Sequence, residues 1–302
     1  MPERAGPFPA AAVLKEKKTM KKMKASFIGI MPYDLQGDAK WAAIKELGKI
    51  GFKGSENVEG WVRGEDGKVD PELLKKVKSY GIEPVDVAAF NGENLKQVGA
   101  DSIIERAHAL GVDKAVMFHG AAYYAKGGKV VTYDEVMKEI EMLQEVSAKC
   151  KKEGVKFSYH NHDHEFTISF KGLSVYDMLL AYAPDLYMEL DCGWATYAGM
   201  DAPALIRKLG AGDRLALMHF KDFLPGGPVK ATVPMLEKGK KYNMPNFCAV
   251  GAGALPVYEC LKACQEVGIE FITCEQDFPH TLKGMDILRM DYAVLKESGM
   301  IL

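Results

Sequence analysis

The chain has 302 residues, 48% hydrophobic and 26% charged, enough apolar material for one large core at about the size of a single α/β barrel. Its 39 basic and 41 acidic residues leave a net charge of −2, without the basic surplus that a nucleic-acid partner demands. No apolar run approaches the ~18 residues of a membrane span, so a soluble protein is expected.

Residues 1–24 read as a basic N-terminal extension. A Pro/Ala-rich start leads into Lys15, Lys17, Lys18, Lys21, Lys22 and Lys24. The apolar stretch at residues 10–14 is shorter than the roughly 7–15-residue centre of a secretory signal. A cytoplasmic protein is therefore expected, with export and prior removal of a signal left open. Residues 25–302 are expected to form one barrel domain.

From there short apolar runs alternate with helical patterns. Residues 26–31 form the first run; no GxGxxG follows it, which removes the usual mark of a doubly wound dinucleotide fold. Residues 52–56 form the second. Asp70-Pro71-Glu72 then sets a capping residue before a first-turn proline, with Gly81 beyond the last turn. Runs at 83–89 and 114–119 precede a helix at 134–150, whose Val136, Ile140, Leu143 and Val146 share a face. Further runs lie at 155–160 and 186–191. Asp201 and Pro203 open a helix that ends near Gly210, and the seventh run is 214–220. A long connection, roughly 222–254, comes next; a loop of that length in a compact domain is usually functional or flexible. A helix around 258–267 closed by Gly268, the eighth run at 270–275 and a last helix at 285–296 complete the chain.

The runs show little polar alternation, as parallel strands covered on both faces do, and most repeats span about 30 residues. Eight such units predict an α/β fold of the (β/α)₈ barrel type. The six cysteines form no CxxC pair and read as reduced, buried thiols, with Cys260 and Cys264 on one helix face.

A barrel of this kind carries its chemistry at the C-terminal strand ends. Four successive runs end abruptly in polar residues: Tyr159-His160-Asn161-His162, Glu189-Leu190-Asp191, Met218-His219-Phe220-Lys221 and Thr273-Cys274-Glu275-Gln276-Asp277. Alternation along a strand aims His160 and His162 one way, and His219 and Lys221 likewise. Two imidazoles and two carboxylates on neighbouring strands suit one divalent metal ion, Mn²⁺, Co²⁺, Fe²⁺, Zn²⁺ or Mg²⁺. A single strand-end His or Asp is commonly just a cap; four in succession argue for a shared site.

The segment Lys156-Phe157-Ser158-Tyr159-His160-Asn161-His162-Asp163-His164-Glu165-Phe166 resembles the strand-five signature of the xylose isomerase-like barrel family, the sugar phosphate isomerases/epimerases. Leu190-Asp191-Cys192-Gly193-Trp194, His219-Phe220-Lys221-Asp222 and Glu275-Gln276-Asp277 resemble its later segments, in family order. The resemblance implies a metal-dependent enzyme acting on a sugar, keto-sugar or cyclitol, with Asp191, His219 and Glu275 as metal ligands. The epimerase branch has a strand-five glutamate where this chain has Ser158, so His160 is assigned as its replacement, with His162 as the alternative. A second departure is Gly251-Ala252-Gly253, where many relatives carry Gly-Glu-Gly.

A metal-bound ketone and adjacent hydroxyl acidify the neighbouring C–H. Glu275 or His162 is the candidate base, and Lys221 the candidate stabiliser of the enediolate. Glu165, His119, Trp194, Glu56 and Asp277 are candidate substrate-binding residues. For four of them a structural role stands beside this: capping for Glu165, a hydrogen-bonded core histidine for His119, packing for Trp194, pairing with Lys221 for Asp277. His164 is expected to face solvent, and Lys238, Lys240 and Lys241 to be solvated. Isomerisation or epimerisation is the leading expectation. A lyase or dehydratase on a keto-sugar or keto-inositol, and a non-catalytic sugar-binding barrel, are the alternatives. An endonuclease IV-like role is set aside, because seven histidines and a negative charge do not supply its metal cluster. A homo-oligomer is left open.

Overall fold

Strands β1 (Lys24–Ile28), β2 (Gly54–Ser55), β3 (Glu83–Pro84), β4 (Val87–Asn91), β5 (Lys114–His119) and β6 (Lys156–His160) are followed by a small antiparallel pair, β7 (Ser169–Phe170) and β8 (Leu173–Ser174). Then come β9 (Tyr187–Asp191), β10 (Leu215–Phe220), β11 (Asp222–Thr232), β12 (Lys241–Cys248) and β13 (Phe271–Glu275). The computed structural model describes residues 21–28, 35–233, 236–277, 282 and 284–302. Residues 1–20 of the expected extension and 29–31 of the first expected run lie outside the described residues.

Nine strands form one parallel sheet in the order β3-β2-β1-β13-β10-β9-β6-β5-β4. Its two ends are halves of a single stave joined through Val85 and Asp86, so the sheet closes into the expected barrel. The expected run at 83–89 is thus split. Its first half pairs with β2 and its second with β5. Pro84, which has no N–H to give to a ladder, sits at the break. The barrel also takes in the end of the basic stretch: Lys24 starts β1, and Met23 bridges Ile301.

The helices begin and end where local chemistry directs. Asp70 caps α2 (Pro71–Ser79), accepting from the Glu72 and Leu73 N–H groups. Thr132 and Glu135 form a reciprocal capping box at α4 (Tyr133–Lys152), two residues longer at its end than expected. Asp201 caps α8 (Ala202–Ala211), and Gly268 ends α9 (Val257–Val267) in a left-handed conformation. Together with α1 (Gly37–Ile50), α3 (Gly92–Leu110), α6 (Val175–Tyr182) and α10 (Met285–Glu297), they cover the outer face of the sheet.

Each strand sends alternate residues to two different interiors. Phe27, Phe157, Met188, Leu190, Met218 and Ile272 pack outward under the helices. Val116, Phe118, Tyr187, Leu217 and Phe271 point inward and plug the barrel. Further along the same inward rows stand Ser26, Ser158, Glu189 and Thr273, all buried, and then the polar strand tips. All six cysteines are free and buried.

The long connection is largely a β-hairpin, β11 with β12, and not an irregular loop. Phe223, Tyr242, Met244 and Phe247 from it pack with Tyr123 and Trp194 in an apolar cluster over the barrel mouth. The Gly251-Ala252-Gly253 segment follows. Asp222 accepts from the N–H groups of Phe223, Gly251, Gly253 and Leu255, which folds the return onto the barrel. A Cβ on Gly253 would meet the Phe223 carbonyl oxygen at 2.3 Å, so glycine is required there.

Candidate metal centre

Strand register decides which tips meet. His160 lies beside Glu189, Asp191 beside His219, and His219 beside Thr273. Asp191 and Glu275 are each two residues beyond another inward residue, Glu189 and Thr273, so they too point inward. His160, Asp191, His219 and Glu275 accordingly bring one ligand atom each within 4.8 Å of one another. His160 and His219 have ring centroids 4.7 Å apart. The first three residues are buried; Glu275 is partly open to the mouth. Asp191 is held by its own strand–helix junction, its Oδ1 accepting the Trp194 N–H that starts α7 (Cys192–Tyr197).

The charge at this point is mostly negative and is enclosed. Lys221 Nζ lies 2.7 Å from Asp277, 2.8 Å from Glu275 and 3.3 Å from Asp191. Burial opposes its charge, but Asp277, Glu275 and Asp191 hold its ammonium well above the ordinary lysine range. Burial likewise works against His219, yet Glu189, Glu56 and Glu275 hold its imidazole well above the ordinary value. Burial pushes Asp191 up to about 6 despite Lys221. Glu275 stays well below the usual carboxylate range, Lys221 and His219 outweighing burial. His160 and His162 are pushed well down, first by burial and then by neighbouring imidazoles, so both are neutral donors of a lone pair.

The donor set fits a divalent ion. Two imidazoles and two carboxylates are the mixed N/O ligation that Zn²⁺ or Mn²⁺ accepts. Asp191 Oδ2 and Glu189 Oε1 are buried with no hydrogen bond among the described residues; the Lys221 ammonium and His219 Nε2 stand 3.3 Å from them, which leaves lone pairs for a divalent cation.

Around this group the other expected residues divide. His162 is buried, its Nδ1 without a hydrogen-bond partner among the described residues, and its ring lies 4.9 Å from that of His160. His119 stacks on His162 at 5.6 Å, and Tyr123 and Trp194 flank the same ring at 4.5 and 5.4 Å. Trp194 is 1% exposed, sandwiched under the hairpin with Phe247 at 5.3 Å and the Lys126 ammonium 3.9 Å over its ring. Glu165 is fully buried and uses both oxygens internally, accepting from the His162 N–H and from Tyr159 OH. Glu56 is also buried, facing His219 and Thr273. Asp277 pairs with Lys221. Ser158 is buried without a hydrogen-bond partner among the described residues, and puts no carboxylate on that stave. His164 differs from expectation: it is only 18% exposed because Asp163 accepts from its Nδ1 at 2.9 Å. Lys238, Lys240 and Lys241 are exposed.

Sequence reasoning gave no role to Glu189 or Asp86, although both are buried carboxylates inside the barrel. The signal for Glu189 was its two-residue spacing from Asp191. Tyr123 and Lys126 come from a 3₁₀ turn, Ala121–Gly127, with no strand-end pattern to mark it. Beside that turn lies a cavity of about 360 Å³ reached by His119, Asn91, Tyr124 and Glu139.

The signature of the xylose isomerase-like TIM barrel family matches residues 41–289. No curated protein matches the sequence. A sugar phosphate isomerase/epimerase from Parabacteroides distasonis superposes with TM-score 0.67 and 17% identity, over 98% of this chain and 100% of its own. The probable 3-DHS dehydratase AsbF of Bacillus anthracis gives 0.68 and 16%, over 91% and 99%. The IOLI protein, solved with a bound zinc atom, gives 0.59 and 15%, over 91% and 98%. At these identities the structural likenesses establish the fold. With its signature spanning most of the barrel, the chain belongs to the xylose isomerase-like TIM barrel family.

Proposed function

We propose that the barrel, residues 25–302, is a metal-dependent isomerase or epimerase of a sugar, keto-sugar or cyclitol. The reading rests above all on the convergence of His160, Asp191, His219 and Glu275 ligand atoms within 4.8 Å. These four residues would hold one divalent ion, which supplies Lewis-acid polarisation of a carbonyl and its neighbouring hydroxyl.

The chain's own groups do the rest. His162 has a neutral ring whose Nδ1 has no hydrogen-bond partner among the described residues, so it takes the proton from the hydroxyl-bearing carbon next to the carbonyl and returns it to the former carbonyl carbon, while the hydroxyl proton passes to the former carbonyl oxygen. Glu275 is the weaker candidate for this base, because His219 and Lys221 already occupy its Oε2. Lys221 holds positive charge beside the developing oxyanion. Trp194 and His119 wall the site, and the hairpin cluster excludes water from it. One base, with Ser158 in place of a second carboxylate, favours isomerisation by a proton carried on a single face.

The test is product analysis with a panel of ketoses, aldoses and keto-inositols on protein loaded with each metal. Interconversion of isomers with exchange of one solvent proton is expected. Release of water or a leaving group would assign a lyase or dehydratase. No turnover together with no metal uptake would assign a non-catalytic barrel.

A further inference from the structure

The two histidines of the centre are each gripped from below by a buried glutamate. His219 Nε2 lies 2.8 Å from Glu56 Oε2, and His160 Nδ1 lies 2.8 Å from Glu189 Oε2. Their other nitrogens face the mouth: His219 Nδ1 is 2.8 Å from Glu275 Oε2, and His160 Nε2 is 3.9 Å from Asp191 Oδ2. The glutamates are themselves fixed. Thr273 Oγ1 donates to Glu56 Oε1 at 2.6 Å and is in turn 2.6 Å from Ser26 Oγ. Glu189 stands in register with His160 on the neighbouring stave, its Oε1 3.3 Å from His219 Nε2.

We propose that Glu56 and Glu189 are positioning residues of the metal centre, each accepting the N–H of one imidazole so that the opposite nitrogen is presented to the ion. The inference rests on the metal reading above and reassigns Glu56, expected at first to touch substrate. A neutral imidazole has one N–H and one lone pair, and a carboxylate on one nitrogen settles which is which. Because the glutamates approach different nitrogens, the two rings are held in opposite senses: His160 keeps its proton on Nδ1, and His219, flanked by carboxylates on both nitrogens, would give up its Nδ1 proton to the ion and keep the one on Nε2. Both carboxylates are fully buried. Packing alone gives no reason to bury two acidic side chains there, since an apolar or amide side chain of similar volume fills such a space at lower cost.

The test combines zinc affinity and histidine nitrogen NMR on the full chain. Zinc dissociation constants, measured against a competing chelator, are compared for the native protein, Glu56→Gln, Glu56→Ala, Glu189→Gln and Glu189→Ala, with circular dichroism and melting confirming the fold. A loss of about 10–100-fold in affinity is expected for the alanine variants, with smaller losses for the isosteric glutamines. In the zinc-loaded native protein the remaining ring proton is expected on Nδ1 of His160 and Nε2 of His219. Affinities within about twofold of native in all folded variants, or the reverse ring nitrogens, would overturn the proposal. So would a second zinc ion per chain that disappears in Glu56→Ala, since Glu56, Glu189 and His219 would then be a cation site in their own right. If the native protein takes up no zinc, the functional reading fails; the His160 ring in the ion-free protein still reports whether Glu189 holds its Nδ1 proton.

Discussion

At the scale of single residues, the groups that would bind the ion are distinct from the group that would move the proton. His162 makes no part of the four-ligand cluster, so His162→Gln is expected to lower turnover by about 10²–10⁴-fold with metal content unchanged. Steady-state rates beside elemental analysis check this; loss of metal in that variant would make His162 a ligand instead. Gly253 offers a purely structural contrast. Its absent Cβ leaves room for the Phe223 carbonyl and for Asp222 Oδ1, which a Cβ would meet at 2.3 and 2.4 Å. Gly253→Ala is expected to cost about 1–3 kcal/mol in denaturant unfolding, since the backbone on which it would collide cannot yield as a side-chain tip can.

At the scale of elements, the hairpin β11–β12 and helix α4 each make a distinct prediction. Phe247 is fully buried against Trp194, so Phe247→Ala is expected to destabilise the protein by about 3–5 kcal/mol, measured by denaturant titration. Glu139 of α4 accepts the Ala121 N–H at 2.6 Å, and burial pushes its carboxyl up to about 8. A carboxyl with a raised folded pKa binds more protons folded than unfolded. Its contribution is therefore full below the unfolded value near 4.5 and is lost as pH rises through about 8. Because Glu139 borders a cavity, solvent screening limits the effect to about 1–3 kcal/mol. Glu139→Gln is expected to flatten the stability profile between those pH values. An unchanged slope in that variant would show that the carboxyl titrates elsewhere.

At the scale of the molecule, much of the barrel was legible because parallel staves buried on both faces are written as short apolar runs, and their mouths as sudden polar endings. That rule marked the four strand ends that hold His160, Asp191, His219 and Glu275; choosing Asp191, His219 and Glu275 within them, and His160 over His162, took the family resemblance. The split of the third stave could not, since one run, 83–89, serves two different neighbours and only three-dimensional pairing divides it. Nor could the partnership of Glu56 with His219, residues 163 apart in sequence that meet across the barrel interior. The hairpin was hidden for another reason: Pro225, Gly226 and Gly227 interrupt the strand pattern in β11 and make it read as a loop. Metal analysis after reconstitution and dialysis reads out whether one cation is shared by four strand tips. About one divalent ion per chain is expected in the native protein and close to none in the folded Asp191→Asn/Glu275→Gln double variant. A native protein that retains no ion, or a double variant that retains it fully, would contradict the account.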